Sequence, residues 1–183
     1  MSTGSEYLKD AFGRFSDYKG LADKAIAQLP DDALWVTLDP ESNSVGLLMR
    51  HLAGNMRSRW RDFLTTDGEK ADRHRDQEFV VPADRSRAAI LADWESGWAQ
   101  LFSELKSLRP EQLERTTTAR HEPMSAVSAI NRQLMHAALH IGQIIFLAKH
   151  LRTGAWKTLS IERGQSDAFN ETMRQKFQGS PKA

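Results

Sequence analysis

The chain has 183 residues, 40% of them hydrophobic and 27% charged, which is the balance of a single globular domain able to bury its own core. Its 25 basic and 24 acidic residues leave a net charge of +1, which argues against a broad nucleic-acid-binding surface. The absence of cysteine excludes disulfides, thiolate metal sites and a cysteine nucleophile.

The first two predicted helices lie in the N-terminal third of the chain. Residues 6–29 carry apolar side chains at the spacing of one helix face. After two breaks, Ser44 or Asn43 is predicted to cap a second helix that ends near residue 64, because such side chains accept hydrogen bonds from free backbone N–H groups. A long polar connection follows.

Two further long helices are predicted at residues 86–108 and 125–151, with an extended piece near residues 115–120 between them. The C-terminal part has no clear periodicity until Ser166, which is predicted to cap a short final helix. Four long amphipathic helices predict an all-α four-helix bundle with long inter-helix connections, formed by residues 1–183 as one domain.

The N-terminal residues have no basic segment followed by an apolar one, so no secretory signal is predicted. The longest apolar stretch, residues 134–151, is interrupted by polar side chains and is too polar to span a bilayer. A cytoplasmic protein without membrane contact is therefore expected.

The fourth predicted helix contains His136 and His140, four residues apart and on one helix face with Gln143. Two histidines at this spacing can direct ring nitrogens to one metal ion, as in the H-E-x-x-H zinc helix. Here Ala137 follows the first histidine, so the glutamate base of that motif is missing. The spacing alone leaves two interpretations open: a metal site, or two hydrogen-bonded histidines in the core.

A catalytic metal site needs a third protein ligand, and His51 in the second helix is the best candidate. It lies at the edge of that helix's apolar face, with Asn55 and Arg59 on the following turns. A lone histidine there also suits a purely structural role. His74 and His121 lie in the connections, and nothing in their spacing requires them to reach the site.

The sequence resembles the DinB-like, or YfiT-like, metal-binding superfamily, and within it a bacterial subfamily of unassigned function. The resemblance covers most of the chain. The segments that carry it are "HLAGNMRSRWRDF", "TTDGEKADRHRDQEF", "INRQLMHAALHIGQIIFLAKH" and "LSIERGQSDAFN".

The resemblance implies a four-helix bundle that holds one divalent ion through His51, His136 and His140. Zinc or nickel is the first choice of metal, and manganese and iron remain candidates because three imidazoles suit several first-row ions. Superfamily members with known activities resemble thiol S-transferases and, in some branches, metal-dependent hydrolases or isomerases. Others have no known reaction.

The metal would either lower the pKa of water or ionise a substrate thiol. Asn55 and Gln143 are candidates to orient a ligand or substrate, and Arg59 is a candidate to bind a substrate carboxylate, although structural hydrogen bonds or ion pairs would explain all three. Asp62, Asp76 and Glu78 contribute only if the fold brings them close. The tryptophans at helical spacing, Trp60, Trp94 and Trp98, are expected in the core, with pocket lining as the alternative.

The leading functional hypothesis is therefore a metal-dependent thiol S-transferase or hydrolase that acts on a small molecule such as a low-molecular-weight thiol. The alternative is a non-catalytic metal-binding protein that forms a homodimer through surplus apolar surface on the fourth helix. Nucleic-acid binding finds little support, since the aromatic residues beside the arginines of "MRSRWRDF" belong to an amphipathic helix.

Overall fold

The computed structural model describes residues 2–178, and these are mostly helical. The helices are α1 (Thr3–Ile26), α2 (Val45–Trp60), α3 (Arg87–Ser107), α4 (Ala126–Leu151) and α5 (Ser166–Phe177). Short 3-10 helices occupy Asp32–Trp35, Arg75–Phe79 and Pro110–Gln112. The strands β1 (Thr116–Ala119) and β2 (Glu122–Ser125) complete the described fold.

The second helix starts at its predicted cap. The Ser44 hydroxyl accepts a hydrogen bond from the Leu47 backbone N–H at 3.2 Å, and Ser125, near which the fourth helix was predicted to start, caps α4 in the same way. The helix ends differ from the prediction: α1 ends at Ile26 instead of residue 29, and α2 at Trp60 instead of residue 64. Asp62 has a φ of 50°, in the left-handed region that a right-handed helix does not enter, so α2 cannot continue through it.

The C-terminal cap was predicted one residue too late. Ser166 is the first residue of α5, and Gln165 occupies the capping position without a side-chain cap bond. The adjacent turn at 163–164 contains Gly164 with a φ of 79°, which ends the preceding segment before the helix starts.

The extended piece predicted near residues 115–120 is β1, and it forms an antiparallel hairpin with β2, which the sequence did not indicate. Thr116 pairs with Ser125, and Ala119 pairs with Glu122. Arg120 and His121 connect the strands with φ values of 54° and 65°. Two-residue hairpin turns with positive φ usually contain asparagine or glycine, so this pair of residues gives no turn signal.

The four long helices pack in pairs that share one core. α2 packs mainly on α3, and α1 on α4, while α2 also contacts α4. A Cβ atom at Gly97 would lie 2.5 Å from the Cα of Ala53, so α2 and α3 approach so closely that only a hydrogen fits there. The predicted core tryptophans Trp60, Trp94 and Trp98 are all at most 1% exposed.

α4 carries apolar surface that the rest of the described chain does not cover. Met135, Leu139 and Phe146, which form one of its two apolar strips, are between 62% and 67% exposed. The helix is covered by α1 and α2 on its other sides, and no described element lies over this strip. Within residues 2–178, no helix combines the length and apolar character that a bilayer crossing requires.

Candidate metal centre

The fold brings three histidines from two helices together. His51 comes from α2, and His136 and His140 come from successive turns of α4. One ring nitrogen of each lies within 4.8 Å of the others, and the Nε2 atoms of His51 and His136 are 3.1 Å apart. Two nitrogens bound at about 2.0–2.1 Å to one tetrahedral zinc ion would be about 3.3 Å apart. The His51 and His136 nitrogens are therefore close to the spacing of a shared ion, and the three histidines together could hold one.

The α2 side of the cluster is held by a buried carboxylate. The Nδ1 of His51 donates to Oε2 of Glu78 at 2.8 Å, which turns Nε2 toward the other two histidines. Arg73 donates to both oxygens of the same carboxylate, at 2.9 and 3.0 Å. A carboxylate that fixes the orientation and protonation of a histidine is typical of the second layer around metal sites.

The carboxyl group of Glu78 is arranged to stay ionised. Burial would raise its pKa, but the hydrogen bonds from His51 and Arg73 outweigh burial and hold the pKa below its usual value. An ionised Glu78 keeps the proton on Nδ1 of His51 and leaves the Nε2 lone pair available for an ion.

Gly54 makes this arrangement possible. A Cβ atom at position 54 would lie 2.3 Å from Oε1 of Glu78, so the carboxylate occupies the space that any larger residue would fill. Phe79 lies over the His51 ring, with 4.8 Å between ring centroids. His51 and Gly54 are three residues apart on one face of α2, so a glycine at this spacing is the sequence signal for a close neighbour beside the histidine.

On the α4 side, His140 has a hydrogen-bond partner outside the cluster. Its Nδ1 is 2.8 Å from Oε1 of Gln143, which lies one turn further along the helix, and this contact orients the ring. The Nδ1 of His136 is buried and has no partner among the described residues. Burial, followed by electrostatic repulsion from the neighbouring His140, His51 and Arg73, lowers the pKa of His136 to about 3. Burial also lowers the pKa of His140, so both rings are in the neutral, metal-binding form at pH 7.

A cleft of about 240 Å³ opens beside His51 and His136, between α2, α4 and the hairpin. Its basic lining residues are Arg59, Arg73, Arg75, Arg120 and Arg132. No aspartate or glutamate of residues 2–178 is part of the lining. Trp60 and Phe63 form part of the apolar wall, so Trp60 belongs both to the core and to the pocket.

Two further site candidates lie in this cleft. Asn55 and Arg59 line the cleft, where Oδ1 of Asn55 and one Nη of Arg59 are buried without a partner, and Arg59 is also paired with Glu69 at 3.2 Å. Gln133, one turn before His136, lines the cleft as well, although it was not among the predicted site residues.

Other polar residues are placed away from the cluster. His74 is exposed, and the side chain of His121 is 99% exposed at the hairpin turn. Asp62 lies in the exposed turn after α2, and the Asp76 side chain is 97% exposed beside Arg75. Of the three acidic residues considered from the sequence, the fold brings only Glu78 to the site.

Residues 2–165 match the family described as "Protein of unknown function (DUF1572)". The chain belongs to this family. The matched region contains all three histidines, Glu78 and every residue of the cleft. A search of curated proteins found no match.

Proposed function

We propose that this protein holds one divalent metal ion between His51, His136 and His140 in a DinB-like four-helix bundle, and acts on a small molecule in the adjoining cleft. The observation that carries the proposal is the convergence of three histidine rings, one of them oriented by an ionised carboxylate. The Nδ1 of His136 has no partner among the described residues, and its Nε2 lies 3.1 Å from the Nε2 of His51, so an ion held by both Nε2 atoms would help to fix this ring.

The donor set suits zinc or nickel, with manganese and iron as alternatives. When bound, such an ion acts as a Lewis acid that lowers the pKa of a water or thiol beside it. Three neutral ligands leave its double positive charge uncompensated, which favours an anionic substrate group. Glu78 adds negative charge only behind His51, where it is already bound by Arg73.

The residues of the cleft favour a thiol over water as the nucleophile. No aspartate or glutamate among the described residues lines the cleft, and Glu78 is a poor general base because its pKa is lowered by His51 and Arg73. A low-molecular-weight thiol ionises more readily than water and so needs no such base. The chain's own contribution is to orient the histidines, exclude water with Trp60 and Phe63, and bind the substrate.

An alternative function is a non-catalytic metal-binding homodimer. The exposed strip of Met135, Leu139 and Phe146 favours it, because large apolar side chains on one helix face suit a symmetric helix-to-helix contact. Sedimentation of the wild type and of Leu139→Glu checks this proposal: a dimer that becomes a monomer supports it, and a monomeric wild type contradicts it.

Metal analysis tests the main proposal. Untagged protein equilibrated with zinc or nickel should retain about one ion per chain, and His136→Ala should weaken binding more than about 100-fold. His121→Ala is the matched control, because this histidine is exposed and outside the cluster. If His136→Ala retains its ion as the control does, the site is wrong. Metal-dependent turnover across a panel of low-molecular-weight thiols then separates the transferase from the non-catalytic protein.

A further inference from the structure

Buried polar side-chain atoms without a hydrogen-bond partner are rare in folded proteins. Eight such atoms occur in the described part of the chain, and five belong to residues that line the one cleft beside the histidines. These residues are Asn55, Arg59, Trp60, Gln133 and His136. Desolvating each atom costs free energy that the protein recovers only if something polar binds there. Their concentration in one cleft points to a bound polar ligand.

Most of the unpartnered atoms are donors. Arg59 contributes an Nη1, Trp60 its indole Nε1 and Gln133 its amide Nε2, and the last two residues are only 1% and 5% exposed. The amide oxygen of Asn55 is the unpartnered acceptor. A ligand that satisfies this set must mainly accept hydrogen bonds, as a carboxylate does with its two oxygens.

The charges around the cleft favour an anion with a single negative charge. Glu69 contacts Arg59, Arg73 and Arg120 at 3.2 to 3.3 Å, and Glu78 contacts Arg73. Three arginines therefore share two carboxylates, which leaves one positive charge without a partner. The other two lining arginines each have their own carboxylate: Arg75 is 3.6 Å from Asp76, and Arg132 is 3.1 Å from Glu122.

The wall that carries these donors is held in place by close packing and by hydrogen bonds. A Cβ atom at Gly68 would lie 3.0 Å from Cδ and 3.3 Å from Nη1 of Arg59, so this glycine leaves room for the guanidinium group. The hairpin turn beside it is held by Asp67, which accepts hydrogen bonds from the backbone N–H groups of Arg120 and His121 at 2.9 and 2.8 Å. Strained backbone held by its surroundings in this way is typical of binding sites.

We infer that the cleft is a carboxylate subsite: one carboxylate of a small organic acid binds Arg59 and Gln133, with Trp60 as a third donor. This deepens the proposed function, on which it rests, because a second group of the same molecule then reaches the three histidines. A phosphate dianion at this subsite would exceed the single surplus charge of the arginines Arg59, Arg73 and Arg120. The cleft is also smaller than the roughly 300–1,000 Å³ of sites for drug-sized molecules, which suits a small metabolite.

Calorimetric titration of zinc-loaded protein with two thiols tests the inference. The wild type should bind mercaptopropionate at least about tenfold more tightly than the neutral mercaptopropanol, as expected for hydrogen bonds to a charged group. Gln133→Leu and Arg59→Met should each remove most of this preference while zinc content stays at the wild-type level. Arg132→Met is the matched control: it removes an equal charge from the same cleft but no unpartnered donor, and should change the preference less than about threefold.

Each alternative result has a definite meaning. Equal affinity for the two thiols, or tighter binding of mercaptopropylphosphonate than of mercaptopropionate, overturns the carboxylate subsite and leaves the metal site standing. If the wild type retains no zinc, the proposed function fails instead. The subsite is then tested in metal-free protein by the NMR shift of the Trp60 indole N–H on addition of propionate. A shift that propanol does not cause and that Gln133→Leu abolishes supports the subsite, and its absence overturns it.

Discussion

The two walls of the candidate site differ in how completely their polar groups are satisfied. At the part of α2 that contacts Glu78, which we call the α2 wall, His51 and Arg73 donate to Glu78, and Gly54 leaves the space that the carboxylate fills. On the α4 wall, the Nδ1 of His136 and the Nε2 of Gln133 are buried without partners. The α2 wall is therefore complete in the protein alone. The α4 wall, like Asn55, Arg59 and Trp60 further along α2, is complete only with an ion and a ligand. Changes to the first should cost stability, and changes to the second should cost binding.

The largest expected effect is that of Glu78→Ala on the α2 wall. It leaves the buried guanidinium of Arg73 with Glu69 as its only carboxylate partner, so the free energy of unfolding should fall by about 3 kcal/mol. Urea denaturation measures this loss, and Glu122→Ala, which breaks an exposed ion pair with Arg132, should cost less than about 1 kcal/mol. Equal losses in the two variants would show that the Glu78 network does not stabilise the fold.

Gly54→Ala should have the next largest effect, because it inserts a methyl group where the Glu78 carboxylate lies. The side chain of Glu78 must move, and the free energy of unfolding should fall by about 1–3 kcal/mol. Gly13→Ala in α1 is the matched control, since nothing lies within 4 Å of its added Cβ, and it should stabilise the protein by about 0.5–1 kcal/mol. Thermal and urea unfolding of both variants measure the difference. The same sign for both would mean that the carboxylate does not occupy this space.

The parts of the site that sequence predicts are the ones set by local spacing. His136 and His140 share a face because a helix repeats every 3.6 residues, and Ser44 could be recognised as a cap from its own neighbourhood. Glu78 could not be selected, because it lies in a connection without periodicity and reaches His51 only through tertiary packing against Gly54.

The hairpin was missed for a related reason. Its turn residues, Arg120 and His121, have positive φ without the asparagine or glycine that usually marks such turns. The turn is held by Asp67, which lies more than fifty residues earlier in the chain, so no local sequence pattern predicts the turn. Long-range hydrogen bonds determine this side of the cleft, and a single sequence shows them only as scattered polar residues.

Asp67→Asn tests the hairpin beside the α4 wall. It asks whether the hydrogen bonds of the hairpin turn stabilise the fold as those of the α2 wall do. Burial would raise the pKa of Asp67, but hydrogen bonds from the backbone N–H groups of Glu69, His121 and Arg120 hold it well below its usual range. An amide accepts fewer of these bonds, so the variant should lose about 1–2 kcal/mol of unfolding free energy at pH 7. Asp10→Asn, on an exposed face of α1, should lose less than about 1 kcal/mol.

The stability difference between the wild type and Asp67→Asn should also depend on pH, and the lowered pKa of Asp67 sets the sign of this dependence. Because the pKa of Asp67 is lower in the folded state, the stability contributed by its carboxylate is complete above the unfolded pKa of about 4 and is lost as pH falls through the folded pKa. The difference in unfolding free energy between the wild type and Asp67→Asn should therefore narrow below about pH 4. A difference that stays constant on acidification would rule out the carboxylate as its cause.

The smallest expected change in stability is that of Gln133→Leu. This variant tests most directly whether the polar groups of the α4 wall, unlike those of the α2 wall, lack partners in the free protein. The Nε2 of Gln133 has no partner to lose, so an apolar side chain of similar shape should leave the unfolding free energy unchanged or raise it by up to about 1 kcal/mol. Gln100→Leu is the matched control, because its Nε2 donates to the Trp60 carbonyl at 3.0 Å, and its loss should cost about 1 kcal/mol. Urea denaturation without metal or ligand compares them. If Gln133→Leu costs as much as Gln100→Leu, the Gln133 amide is already satisfied in the free protein, and the α4 wall no longer differs from the α2 wall. If it costs nothing and yet weakens binding of an organic acid, the protein keeps Gln133 for its ligand and not for its fold.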